Sequence, residues 1–162
     1  MTNLAVRPKA DVTAPTGGAD LYVVFTVADA HYAMPASLVL QMESYAGATR
    51  VPGTAPFVVG VMPVRGRIVP VVDLRVRFGL PPVQPTLDSR VVVGQIGERA
   101  VALLADSARE VMRISPGDLA PPPRLPNDAS SGFVHAVAHV GKRMLLILDF
   151  ARVIGEESID VE

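Results

Sequence analysis

The sequence predicts an all-β protein made of two small barrels, with helix confined to short turns. Three observations lead there. Between residues 21 and 148, short apolar, β-branched segments alternate with turn signals, the pattern of many short strands rather than of a βαβ alternation. A second observation is a strand–aspartate–glycine pattern that occurs twice. One copy is Gly66-Arg67, an apolar strand, Asp73 and Gly79; the other is Gly141-Lys142-Arg143, Met144 to Leu148, Asp149 and Gly155. The lengths are too irregular for a solenoid and suit two similar subdomains, although such punctuation also recurs by chance in β-rich chains. Finally, Pro81-Pro82-Val83-Gln84-Pro85 sets three prolines in five positions, forbidding helix and ladder alike. The expected layout is a flexible tail over 1–18, a folded domain over 19–155 and an acidic tail over 156–162. Within the domain, subdomains of about 19–85 and 86–155 meet at the proline segment and intertwine at their ends.

Taken in order, Leu21 to Val27 reads as a strand that breaks near Asp29-Ala30 and returns through Tyr32-Ala33-Met34 as a hairpin. Leu38 to Glu43 stays open: Leu38 and Met42 lie at helical spacing, whereas Val39 and the following Ser44-Tyr45 suit a strand. Phe57 to Leu80 organises the chain around it. Apolar runs flank Arg65-Gly66-Arg67, so a strand runs out, turns at the glycine and returns. Asp73 is placed to cap a short helix over Leu74 to Phe78, which Gly79 ends. Pro63 and Pro70 cannot donate to a ladder and must face an edge or a bulge. Val91 to Ile96 and Val101 to Ala105 form a further hairpin about Gly97-Glu98, followed by a strand at Glu110 to Ile114. A loop containing Pro121-Pro122-Pro123 precedes Phe133 to Val140, and Met144 to Leu148 repeats the hairpin, with Asp149 as the second cap.

Composition narrows the class. A chain of 162 residues buries roughly 68–70% of its unfolded surface and needs no staples. It has no cysteine, which excludes a disulfide scaffold, a thiolate nucleophile and a cysteine zinc site. Its apolar runs fall far short of the ~20 residues of a membrane helix, and the N-terminus lacks a signal-peptide core. A cytoplasmic protein without direct membrane insertion is the expectation. Fifteen Lys and Arg against 16 Asp and Glu give a formal charge of −1, which argues against a general nucleic-acid binder.

Catalytic chemistry is nearly absent from the pattern. His135 and His139 flank Ala136-Val137-Ala138 in a strand-like run without a third ligand, so no metal site is assigned. No nucleophile elbow, zincin motif or phosphate loop occurs, and no cofactor is implied. Asp73 and Asp106 each follow an apolar strand; helix or turn capping accounts for both better than a paired-carboxylate site. The reading is non-enzymatic. Two rivals stay open: an oligonucleotide-binding barrel, which five Phe, three Tyr and no Trp serve poorly, and a hydrolase whose two aspartates share a cleft. Arg65, Arg67, Arg75 and Arg77 are individually read as solvated charges, but Arg65 ends a strongly apolar hairpin, the mixture expected at a protein interface.

Phe57-Val58-Val59-Gly60-Val61, Val64-Arg65-Gly66, Ile68-Val69-Pro70-Val71-Val72-Asp73-Leu74-Arg75 and Phe78-Gly79 together resemble the signature of the chemotaxis coupling proteins of the CheW-like family. The likeness extends from Leu21-Tyr22-Val23-Val24-Phe25 to Ala102-Leu103-Leu104-Ala105-Asp106, Glu110-Val111 and Gly141 to Asp149, about residues 20 to 155. It implies two five-stranded, SH3-like barrels around a hydrophobic seam. It further implies a scaffold that joins a chemoreceptor's cytoplasmic tip to the regulatory domain of a CheA-type histidine kinase at membrane-associated arrays. By the family pattern the receptor lies in the groove between barrels, with Val39, Gln41, Met42, Gly60, Arg65 and Val111 at positions associated with that contact. The kinase contact is expected on exposed apolar edges. Where the family commonly carries a glutamate able to pair with Arg65, this chain has Gln41, a neutral acceptor of roughly half the strength. Pro63 replaces a common asparagine. The departures imply altered receptor choice or reduced affinity, with Glu43 able to compensate only if the segment is a strand.

Overall fold

Each hairpin is closed by a tight turn that places at least one residue at positive φ. The computed structural model describes residues 20–122 and 131–155, so both expected tails and the loop from Pro123 to Ser130 lie outside the described residues. β1 (Asp20–Val27) and β2 (Ala30–Pro35) join through Ala28 and Asp29, both with positive φ, at 49° and 69°, the two-residue geometry that matches strand twist. β4 (Val58–Val64) and β5 (Arg67–Asp73) join in the same way through Arg65, φ 52°, and Gly66, φ 78°. β6 (Arg90–Ile96) and β7 (Arg99–Ala105) turn at Gly97, and β10 (Val134–Val140) and β11 (Arg143–Leu148) at Gly141.

The segment left open is a 3-10 turn, Ala36–Leu38, followed by β3 (Val39–Ser44). Pairing with Val91, Val92 and Val93 of β6 overrides the helical spacing of Leu38 and Met42. Short helices α1 (Leu74–Arg77) and α2 (Phe150–Ile154) follow β5 and β11. The Asp73 side chain accepts from the Arg75 amide at 2.9 Å, and that of Asp149 from the Arg152 amide at 3.2 Å. β8 (Ser107–Ile114) and the two-residue β9 (Leu119–Ala120) complete the strands.

Two sheets result. One runs β3-β6-β7-β5-β4; the other runs β8-β1-β2-β11-β10-β9. The sheets therefore do not divide at residues 85 and 86. Residues 39–105 supply the first sheet, and the second is a composite of β1 and β2 with everything after β7. The proline segment links strands of the first sheet, on the path from β5 to β7, which pair in parallel at Val71↔Ala102. A parallel pair cannot be joined by a tight turn, so α1, the proline segment and β6 serve as the crossover.

The repeat is real in space. In each sheet an antiparallel pair is joined through a parallel contact to a hairpin that ends in a capped helix: β6-β7 to β4-β5-α1, and β1-β2 to β10-β11-α2. A fifth strand, β3 or β8, borders each antiparallel pair.

Neither sheet closes through a continuous ladder, so the barrels are open. The nearest approach to closure in the first sheet is the bridge Thr49↔Val61, with both amide bonds at 2.8 Å. Pro63 sits on β4, an edge strand, and Pro70 lies before the β5–β7 ladder begins.

Both faces of both sheets are buried, as the continuous apolar runs require. Phe25, Tyr32 and Met34 from the composite sheet meet Val72, Leu74, Phe78, Val92 and Leu103 in a central seam. Val71, Val91, Val93 and Ala102 fill the inside of the first sheet; Val24, Ala33, Leu145 and Ile147 fill the inside of the composite one. Tyr32 stacks within 5.1 Å of Phe78, tying α1 to the opposite sheet. Phe150 of α2 lies over Gly94, where a Cβ would stand 2.7 Å from the ring.

Candidate functional site

Sheet edges carry unpaired backbone groups and are natural contact points, and β3 and β8 are each an edge strand here. β3 is bulged: Val39 pairs with Gly94 and Gln41 with Val93, leaving Leu40 between them without a partner. The bulge changes which side chains share a face. Val39, opposite Gly94, and Met42, opposite the buried Val92, both turn toward the seam although they are three residues apart. Gln41 and Glu43, opposite Val93 and Val91, turn toward the inside of the first sheet.

On the other side of the seam, Val111 of β8 stands opposite Val23, a buried member of the central core. Cross-strand partners share a face, so Val111 forms the outer rim of that core, and β8 lies against β6, the neighbour of β3. Met42 is 37% and Val111 49% exposed. Val39 and Met42 on β3 and Val111 on β8 are thus apolar side chains on edge strands, each on the seam face.

Arg65 reaches β3 through that strand's backbone and its other face. Its Nε donates to Gln41 Oε1 at 2.7 Å and its Nη2 to the carbonyl of the bulged Leu40 at 2.9 Å. Gln41 Nε2 donates to Glu43 Oε2 at 2.7 Å. These bonds run from the β4–β5 tip to β3, the opposite edge of the same sheet, and hold a guanidinium over an otherwise open side. On the sequence alone, Glu43 is only a substitute for the missing glutamate. Its i,i+2 spacing from Gln41 was the available signal, legible once the segment is known to be a strand.

Gly60 belongs to packing. It is buried on β4, and a Cβ there would collide with the Thr49 carbonyl oxygen and lie 2.7 Å from its carbon. Glycine is what allows the Thr49 strand to bridge β4.

The remaining charged candidates are tied down. Arg67 donates to the Glu98 carbonyl at 2.8 Å. Arg77 donates to the Val153 carbonyl at 2.8 Å and lies over Phe57 at 4.1 Å; burial pushes its guanidinium below its ordinary value. Arg75 forks onto Asp106 at 2.7 and 3.0 Å. Asp73 and Asp106 end the neighbouring parallel strands β5 and β7 and line one small pocket, so they are not separated into different sheets. Their environments still differ. Burial raises the Asp73 carboxyl above its ordinary value, against the amides of Arg75 and Val76. Burial also acts upward on Asp106, but bonds from Arg75 and the Ala28 amide outweigh it and hold that carboxyl below its ordinary value. Both carboxylates are thus engaged by protein donors.

His135 and His139 are exposed on β10, and among the described residues no group of three His, Cys, Asp or Glu could hold a metal. Nor is any helix among them long and apolar enough to cross a membrane.

Comparison with known proteins bears on the domain as a whole. The CheW-like domain matches residues 21–158. The chain belongs to the CheW-like family. It is 28% identical over 141 residues to the chemotaxis protein CheW of Rhizobium meliloti, covering 87% of this chain and 90% of that one. Against CheW of Bacillus subtilis it is 28% identical over 147 residues, covering 91% and 94%. The crystal structure of the scaffolding protein TtCheW from Thermoanaerobacter tengcongensis superposes with a TM-score of 0.78 at 27% identity, covering 86% and 95%. CheW-like proteins are adaptors of chemotaxis, a scaffold class rather than an enzyme class, and this chain is an adaptor of that kind.

Proposed function

We propose that this chain couples the cytoplasmic tip of a methyl-accepting chemoreceptor to the regulatory domain of a CheA-type histidine kinase, in the cytoplasm at membrane-associated receptor arrays. What supports this reading is the set of apolar side chains on the seam faces of two edge strands, Val39 and Met42 on β3 and Val111 on β8, together with a guanidinium fixed to β3 by Gln41 and Leu40. A helix laid against these edges buries apolar side chains and meets one fixed donor that sets its register. Gly60 supports the site from behind through the Thr49 bridge.

The kinase contact belongs on apolar residues other than these. Ile68 and Met144, 64% and 54% exposed, occupy equivalent places in the two copies of the repeat, each directly after a basic residue at the start of β5 or β11. They present one aliphatic contact on each sheet.

Calorimetric titration against a receptor-tip fragment and, separately, a kinase regulatory domain from the same cell tests the proposal. Micromolar binding to both is expected. Val111→Glu should weaken the receptor fragment at least about ten-fold, the cost of placing a charge in an apolar contact, and leave the kinase domain unaffected. A folded chain that binds neither partner would refute the reading.

A further inference from the structure

The hydrogen bonds at Arg65 involve one more residue than the docking site needs. Gln41 accepts from Arg65 Nε at 2.7 Å and donates to Glu43 Oε2 at 2.7 Å. The two ends of an amide are nearly equal in size and opposite in polarity, so its neighbours decide which end faces which way. Ionised Glu43 only accepts. It therefore takes the NH2 group and leaves the oxygen for Arg65. Reversed, the amide would point N–H at N–H and the bond to Arg65 would be lost.

We propose that Glu43 is a positioning residue for receptor docking: through Gln41 it fixes the Arg65 guanidinium at the β3 edge, with Nη1 left to donate to a carboxylate or carbonyl of the docked helix. The inference rests on the function proposed above. Three features support it. β3 is a strand, which puts residues 41 and 43 on one face. Leu40 is bulged, which frees its carbonyl to take Nη2 at 2.9 Å. Arg65 also has a left-handed backbone, φ 52°, at the first position of the β4–β5 turn, and from there its side chain reaches β3. Neither of these bonds uses Nη1. A docking helix with an acidic or carbonyl acceptor at that point is the matching partner.

The test uses the full chain and two readouts: solvent exchange of the Arg65 Nε–H proton by NMR, assigned by its disappearance in Arg65→Lys, and the Kd for the receptor-tip fragment. Glu43→Lys places a donor where only an acceptor serves and turns the Gln41 amide round. Exchange should accelerate and affinity fall, each about five-fold, as for the loss of one exposed hydrogen bond. In the double variant Gln41→Glu, Glu43→Lys, a carboxylate at 41 accepts from both neighbours, and both readouts should return to within about two-fold of native. Native exchange in Glu43→Lys, native affinity despite faster exchange, or failure of the double variant to restore either readout would each overturn the proposal. A native chain that does not bind the fragment is a different failure, that of the docking reading itself, and is seen before any variant is made.

Discussion

Asp106 accepts two bonds from the Arg75 fork and a third from the Ala28 amide at 2.8 Å. It thereby fastens the β7–β8 junction to both α1 and the β1–β2 turn. Its carboxyl lies below the ordinary value in the folded chain, so the stability it contributes is complete above the unfolded carboxylate range and is lost as pH falls through the lowered folded value. Glu110, bonded by Arg143 at 2.9 and 3.1 Å, is also lowered and acts in the same direction. Asp73, raised by burial, acts in the opposite sense: its contribution is present below the unfolded value and is lost as pH rises through the folded one. Asp106→Asn should therefore destabilise the protein at pH 7 and cost progressively less toward pH 3. Denaturant midpoints at the two pH values check this, and an equal cost at both would show that the ion pair is not the cause. The sequence placed both aspartates after strands, and local spacing sufficed for Asp73, whose partner is two residues away. The partners of Asp106 are 31 and 78 residues distant, beyond any local pattern.

The hairpin-and-capped-helix unit is the element that recurs, and it was legible because its determinants are local. A basic residue beside glycine sets the turn, β-branched residues set the strand, and aspartate sets the cap. Asp149→Ala should cost about 1 kcal/mol, the usual loss for a helix N-cap, measured by chemical denaturation; a neutral result would mean that the buried side chains Phe150, Val153 and Ile154 alone hold α2 in place. β3 was less legible for a definite reason. Its bulge at Leu40 breaks the period of two, so Val39 and Met42 share the seam face at a spacing that resembles one side of a helix. The same irregularity creates the site, because a regular strand would send Val39 and Met42 to opposite faces.

At the scale of the whole molecule, the two sheets are joined by exchange: α1 of the first packs on Tyr32 of the composite sheet, and α2 of the composite sheet packs on Gly94 of the first. Gly94→Ala would press a methyl into the Phe150 ring and should destabilise by about 1–3 kcal/mol, the range for overpacked cores. Combining it with Phe150→Leu should cost less than the sum of the two single changes, since the smaller side chain removes the clash. Additivity in that double-mutant cycle would mean that the contact does not couple the sheets. Gly94 was unremarkable in the sequence because the ring that requires it lies 56 positions further along the chain. The sequence by itself determined the all-β class, the hairpins with their turns, the two capped helices and the family signature, all of which depend on residues a few positions apart. Only the tertiary structure decided that the proline segment connects strands of one sheet, that β1 and β2 complete the second sheet, and that a bulge turns Val39 and Met42 to one face while Arg65 bonds across to Gln41 and Leu40. Those outcomes are choices among strand pairings, made by backbone hydrogen bonds between distant segments and by burial of both sheet faces, and the local pattern of residues carries no record of which distant edge each strand will meet.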